Sequence, residues 1–261
     1  MSAITRPVIV HFPDLEVRRE DRLMIAGPCS VESRDQLFTV AEAVKEAGFH
    51  FLRGGAFKPR TSPYSFQGLQ EEGLLILREA AEAFDLKIVS EIIDVNHVSL
   101  FQDTVDILQI GTRNMSNFQM LKQLAGCGKP ILLKRGYSAR VEELLLAAEY
   151  LTSGGNDQVI LCERGIRTFE NATRATLDLS SVPIVKKLSP LPIIVDPSHS
   201  TGRSDLVQSM TLAALVAGAD GVMIEVHPNP QKALSDGLQS LTLDAFRDCV
   251  QEIRRLWPYL K

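Results

Sequence analysis

A short apolar run followed by a longer amphipathic segment recurs eight times along this chain, and few folds accommodate that rhythm. The runs are LMIAGP from residue 23, FHFLRGG from 49, KIVSEI from 87, DILQIG from 106, PILLKRG from 130, QVILCERG from 158, PIIVDPS from 192 and GVMIEVH from 221. Their centres are near-continuous Ile, Leu and Val, which suits parallel strands buried on both faces. Between them, SRDQLFTVAEAVKEAG, GLLILREAAEAF, VEELLLAAEYLTSGG and SDLVQSMTLAALVAG carry helical spacing. Several end in Gly, the usual left-handed residue after a helix. The pattern predicts a closed (β/α)8 TIM barrel spanning residues 21–261. An open doubly wound sheet fits less well, because no GxGxxG turn follows the first run. Residues 1–20 precede the repeat, where VIVHF with Pro7, Pro13 and Asp14 predicts a β-hairpin-like extension closing the barrel bottom. No linker marks off a separate regulatory domain.

Five cations sit at the ends of these runs: Arg53, Lys58, Arg113, Lys134 and Arg164. A chain of net charge −4 has no global reason to collect them there. Strand ends of a barrel converge on one mouth, so the five predict a pocket for a multiply charged anion. Arg grips phosphate or carboxylate with two parallel bonds, and Lys adds a point charge. By contrast, Lys122, Lys186, Lys187 and Arg254 read as surface salt-bridge residues. Cys29, His199 and Glu225 fall at the ends of runs one, seven and eight, with Asp236 in the loop beyond. Closure makes those strands neighbours. A mixed S/N/O donor set suits a divalent transition metal rather than Mg²⁺ or Ca²⁺.

The acidic pI, about 5.8, and the lack of a broad basic stripe argue against nucleic-acid or acidic-membrane partners. No apolar run nears the ~18 residues of a membrane span, and the N-terminal segment lacks a signal-peptide core. The four cysteines are widely spaced with no CxxC, so a disulfide scaffold is not expected. A cytoplasmic protein is the expectation.

IAGPCSVES, RGGAFKPRTSPYSFQG, QIGTRNMSNF, LLKRGYSA, VILCERGIRTFE, DPSHSTGR and EVHPNPQKALSDG together resemble the 3-deoxy-D-arabino-heptulosonate 7-phosphate (DAHP) synthases, in the short type I form related to 3-deoxy-manno-octulosonate 8-phosphate synthases. The resemblance runs from about residue 22 to 245, in order. It implies a transferase that condenses phosphoenolpyruvate with erythrose 4-phosphate, the entry to the shikimate pathway and aromatic amino acids. It implies Cys29, His199, Glu225 and Asp236 as metal ligands, for Mn, Fe, Co or Zn. Arg113 and Arg164 match the phosphoenolpyruvate phosphate site, Arg53 and Lys134 its carboxylate site, and Lys58 completes the set. Arg60, Thr61 and Ser62, with Asp236, match the erythrose 4-phosphate site, and Glu91 an acid near the reacting carbons. Lys58, Lys134, His199 and Glu91 are candidates for proton transfer, while Asp196 and His227 are expected behind the metal ligands. SEIID stands where the family more often has TEVMD, and Thr112 where it often has Ala.

Carbon 3 of phosphoenolpyruvate would attack the aldehyde, with the metal ion polarising that carbonyl or holding a water at the same place. Water would add at carbon 2, and phosphate would leave with C–O cleavage. KPRTS, where octulosonate relatives carry KANRSS-like text, and Cys29, where their metal-free members carry Asn, favour the four-carbon aldose over arabinose 5-phosphate. A non-catalytic metabolite-binding barrel is disfavoured because every expected cation and ligand is present. Relatives imply a homo-oligomer, a tetramer or dimer. Residues 1–20 are too short for a ferredoxin-like or chorismate mutase module. The purified protein is therefore expected to keep its activity in micromolar phenylalanine or tyrosine. Clear inhibition by either contradicts that expectation.

Overall fold

The structure, a computed structural model, describes residues 8–60 and 62–260. The first part of the predicted N-terminal extension (residues 1–7) and the candidate substrate residue Thr61 lie outside the described residues. β1 (Val8–His11) and β2 (Glu16–Arg18) form an antiparallel pair. Eight parallel strands then close into a barrel: β3 (Leu23–Gly27), β4 (Phe51–Arg53), β5 (Lys87–Ile92), β6 (Ile107–Ile110), β7 (Ile131–Lys134), β8 (Val159–Glu163), β9 (Ile193–Val195) and β10 (Gly221–Glu225). β10 pairs with β3 in register from Gly221↔Leu23 to Glu225↔Gly27, which shuts the cylinder. The (β/α)8 expectation holds.

The outer layer is α1 (Arg34–Glu46), α2 (Glu71–Phe84), α3 (Val98–Thr104), α4 (Phe118–Ala125), α5 (Val141–Thr152), α6 (Ser181–Leu188), the short α7 (Pro197–Thr201), α8 (Ser204–Val216) and α9 (Leu243–Leu256). Local chemistry sets their ends. Ser33 caps α1 by accepting from the Gln36 N–H, 3.2 Å away. Its C-terminus closes with Gly48 at φ 74° and Phe49 N–H bonded to the Val44 carbonyl. That cap consumes Phe49, so the strand expected from residue 49 begins only at Phe51.

Two apolar layers follow from strand alternation. Outward residues such as Leu52, Ile88, Leu108, Leu133 and Leu161 pack beneath the helices. Inward residues Phe51, Val89, Ile107, Leu132, Ile160, Ile194 and Met223 fill the lower barrel. Ile9, Val10, Phe12 and Val17 of the hairpin join this inner cluster, with Phe12 and Phe51 ring centroids 6.0 Å apart. Leu132 is fully buried, so Leu132→Ala leaves a cavity in the barrel interior. Its expected cost is about 2–5 kcal/mol in denaturant unfolding; a loss near zero contradicts a close-packed interior.

Candidate active site

Moving two residues up each strand from the inner apolar layer reaches a second inward layer, and this one is polar. It comprises Arg53 on β4, Glu91 on β5, Gln109 on β6, Lys134 on β7, Cys162 on β8, Asp196 just after β9 and Glu225 on β10. A buried charge needs a partner, and the layer supplies two. Arg53 Nη1 donates to Glu225 Oε1 at 2.6 Å, and Lys134 Nζ to Asp196 Oδ2 at 2.5 Å. Each pair reaches across one intervening strand, β3 or β8. Those strands carry small residues, Gly27 and Cys162, at this level. At Gly27 (φ 152°) a Cβ would run into the Arg53 backbone. Gln109 Nε2 donates to Glu91 Oε2 at 3.1 Å, and a Cβ at Gly111 would overlap the Glu91 carboxylate.

Above this layer, Cys29 Sγ, one ring nitrogen of His199 and one oxygen of Asp236 lie within 4.8 Å of one another. Glu225 Oε1 is 3.2 Å from His199 Nε2. His199 Nδ1 is 2.7 Å from Asp196 Oδ2, and the same carboxylate's Oδ1 accepts from the His199 N–H at the start of α7. Burial holds His199 below its ordinary pKa, against the pull of Asp196 and Glu225. A neutral ring with Nδ1–H on Asp196 turns the Nε2 lone pair toward Cys29 and Glu225. Burial and the Glu225 charge push the Cys29 thiol up to about 12, against Lys58 and Arg53. The thiol donates to Asp236 Oδ2 at 3.0 Å, and Lys58 Nζ is 3.0 Å from the same sulfur. The donor set fits a divalent transition-metal ion, the thiolate being the soft member that all-oxygen sites lack.

One cavity of about 340 Å³ opens over these groups, within the usual range for small-molecule sites. Lys58, Arg60, Ser62, Glu91, Arg113, Lys134, Arg164, His199 and Asp236 all line it. Arg53 does not: its guanidinium is spent on Glu225 and the Pro28 carbonyl. Arg60, Arg113 and Arg164 pair with no carboxylate among the described residues. Arg164 is 2% exposed, donates to the His199 carbonyl at 2.9 Å, and lies 4.7 Å over the Tyr137 ring. Burial lowers its pKa. A buried guanidinium without a counter-charge, facing a cavity, is half of an ion pair awaiting an anion.

Several expectations need correcting. His227 is not behind the metal group; its Nε2 meets Glu32 at 3.2 Å, because the chain leaving β10 after Glu225 runs toward the α1 entry loop. Of the four lysines and arginines read as surface ion pairs, Lys186 bonds Asp220 at 2.8 Å. Lys122 instead sits 5.5 Å over the Tyr150 ring, and Arg254 bonds the Ala47 carbonyl. Tyr137, Ser65 and Arg174 line the cavity unforeseen. They sit in loops, where no periodicity marks a side chain as facing inward.

Burial alone would raise the Asp196 carboxyl; His199 and Lys134 outweigh it and hold the group well below the usual carboxylate range. Its stabilisation is therefore complete above the unfolded value of about 3.9. It fades as pH falls below that value and is lost by the time pH has passed through the depressed folded value. At neutral pH, Asp196→Ala strands the buried Lys134 ammonium. The expected destabilisation is about 3–5 kcal/mol in denaturant unfolding, and a loss below about 1 kcal/mol contradicts a tightly coupled pair.

Comparison with known proteins places this geometry. Residues 13–257 match the DAHP synthetase I family. Phospho-2-dehydro-3-deoxyheptonate aldolase of Thermotoga maritima is 52% identical over 95% of this chain and 73% of its own length. A 2-dehydro-3-deoxyphosphooctonate aldolase of Desulfotalea psychrophila is 30% identical over 97% of both chains. The crystal structure of the T. maritima DAHP synthase superposes with a TM-score of 0.93 at 51% identity, covering 96% of this chain and 73% of that one. A truncated form of the T. maritima enzyme superposes at 0.89, with 47% identity, covering 96% of this chain and 92% of that one. With the barrel, the polar layer and the cation-lined cavity in place, the chain belongs to the DAHP synthetase I family.

Proposed function

We infer that this chain is a DAHP synthase, a transferase joining phosphoenolpyruvate to erythrose 4-phosphate and releasing phosphate. The observation that carries the reading is the pairing, in one cavity, of three uncompensated arginines with a Cys/His/Asp metal-type group. Identity to the heptulosonate relative, 52% against 30% for the octulosonate one, favours the four-carbon aldose over arabinose 5-phosphate.

Arg113 and Arg164 hold the phosphate of phosphoenolpyruvate, and Lys134 with Lys58 its carboxylate. Arg53 acts from below, screening Glu225 and keeping that side of the layer fixed. Arg60 with Ser62, beside Thr61, takes the phosphate of erythrose 4-phosphate. Carbon 3 of phosphoenolpyruvate bonds to the aldehyde carbon, water adds at carbon 2, and the carbon 2–oxygen bond to phosphate breaks. Cys29, His199, Asp236 and Glu225 are the proposed ligands of a divalent Mn, Fe, Co or Zn ion, which would supply electrophilic polarisation of the aldehyde. Lys58, Lys134, His199 and Glu91 are within the site to move protons, each already positioned by a buried neighbour. Rigid placement of the two reacting carbons supplies much of the rate.

The proposed domain division is residues 1–20 as a β-hairpin-like extension and 21–261 as the catalytic barrel. A cytoplasmic homo-oligomer, dimer or tetramer, acting on small molecules without nucleic acid or membrane, completes the reading. Among the described residues no helix is long and apolar enough to cross a membrane.

Phosphate release is expected with phosphoenolpyruvate plus erythrose 4-phosphate, and loss of it after exhaustive chelation. Release with arabinose 5-phosphate alone overturns the substrate assignment. Arg164→Ala removes a charged hydrogen-bonding group worth about 2 kcal/mol, so kcat/KM for phosphoenolpyruvate is expected to fall roughly 30-fold. An unchanged value removes Arg164 from the anion site.

A further inference from the structure

Asp236 and Gln239 are the first and fourth residues of one 3₁₀ turn after β10. Asp236 is the N-cap of the turn and Gln239 its last residue, and both side chains reach the same guanidinium. Gly237 makes the turn possible, since a Cβ there would strike the Pro230 carbonyl. Asp236 itself sits at φ 51°, a left-handed conformation that Asp tolerates better than most residues. Arg174, from the loop between β8 and α6, supplies that guanidinium. Its Nη1 donates to Asp236 Oδ1 at 3.1 Å and to Gln239 Oε1 at 2.9 Å. Its backbone N–H donates to the Thr201 carbonyl at 2.9 Å, and its side-chain stem lies over Gly202, where an added Cβ would meet the Arg174 Cβ.

Each carboxylate of the metal-type group is thereby divided into an outer and an inner oxygen. Oδ1 of Asp236 is tied to Arg174, while Oδ2 turns to the Cys29 sulfur. Oε2 of Glu225 accepts from Gln239 Nε2 at 2.5 Å, while Oε1 turns to His199 and Arg53. Gln239 is 2% exposed, with its amide oxygen on Arg174 and its amide nitrogen on Glu225. One chain of bonds, Asp236–Arg174–Gln239–Glu225, thus holds the outer oxygens of both carboxylates.

We propose that Arg174 and Gln239 are positioning residues that act as one clamp, fixing Asp236 and Glu225 as single-oxygen ligands through Oδ2 and Oε1. The inference rests on the metal reading above and assigns the pair that organises it. Partners behind metal ligands typically contribute 10–100-fold in affinity.

The test is Mn²⁺ titration of the metal-free full-length protein, with free ion followed by electron paramagnetic resonance. Arg174→Met and Gln239→Leu are each expected to weaken Mn²⁺ by about 10-fold or more. The double variant is expected to bind no worse than the weaker single one, because either change already breaks the chain. Arg174→Lys keeps the charge, but its Nζ ends one bond short of the place where Nη1 meets both partners, and it is expected to bind as weakly as Arg174→Met. Arg174 lies at the cavity edge with its side chain 38% exposed, so its substitution leaves the core intact; circular dichroism of the metal-free variants checks this. Parent-like affinity in both single variants, effects that multiply in the double, or full rescue by Arg174→Lys overturns the clamp. A parent protein that binds no Mn²⁺ overturns the metal reading itself, and the clamp with it.

Discussion

The buried polar layer across the barrel constrains everything above it. Arg53–Glu225 and Lys134–Asp196 are buried pairs at 2.6 and 2.5 Å. Such pairs add little net stability over an apolar replacement, yet losing one partner is expensive. Their presence is best explained by what they hold. Glu225 lies beside His199 Nε2, and Asp196 carries His199 Nδ1, so both pairs converge on one imidazole. The two pairs turn an apolar barrel into a platform whose upper side is a fixed array of charge.

That platform separates the cations into two kinds. Arg53, Lys58 and Arg174 each contact an anionic or thiol group of the metal-type cluster. Arg60, Arg113 and Arg164 have no carboxylate partner among the described residues. Cations in the first set are tied to that cluster; those in the second face the cavity with no counter-charge among the described residues. Lys134 and Lys58 belong to both: Lys134 is paired with Asp196 and Lys58 is held at the Cys29 sulfur, and both line the cavity. The carbon–carbon bond is expected where the two kinds meet, between His199 and Arg164.

Much of this was legible beforehand for a physical reason. Parallel strands buried on both faces are conspicuous as apolar runs, so their number, order and terminal residues could be read directly. Arg53, Lys134 and Glu225 were found because each ends such a run. Their pairing was not, since Arg53 and Glu225 stand 172 positions apart and meet only because closure seats β10 two strands from β4. Tyr137, Arg174 and Gln239 escaped notice because loop residues follow no period. His227 misled by proximity: two residues beyond Glu225, it faces Glu32 instead.

If the unpaired cations, rather than the metal, hold phosphoenolpyruvate, then the two halves of the mouth work separately. Calorimetric titration of phosphoenolpyruvate into exhaustively chelated protein tests this most directly. The account predicts one binding event per chain that persists without metal. Binding that disappears on chelation and returns only with added metal would contradict it.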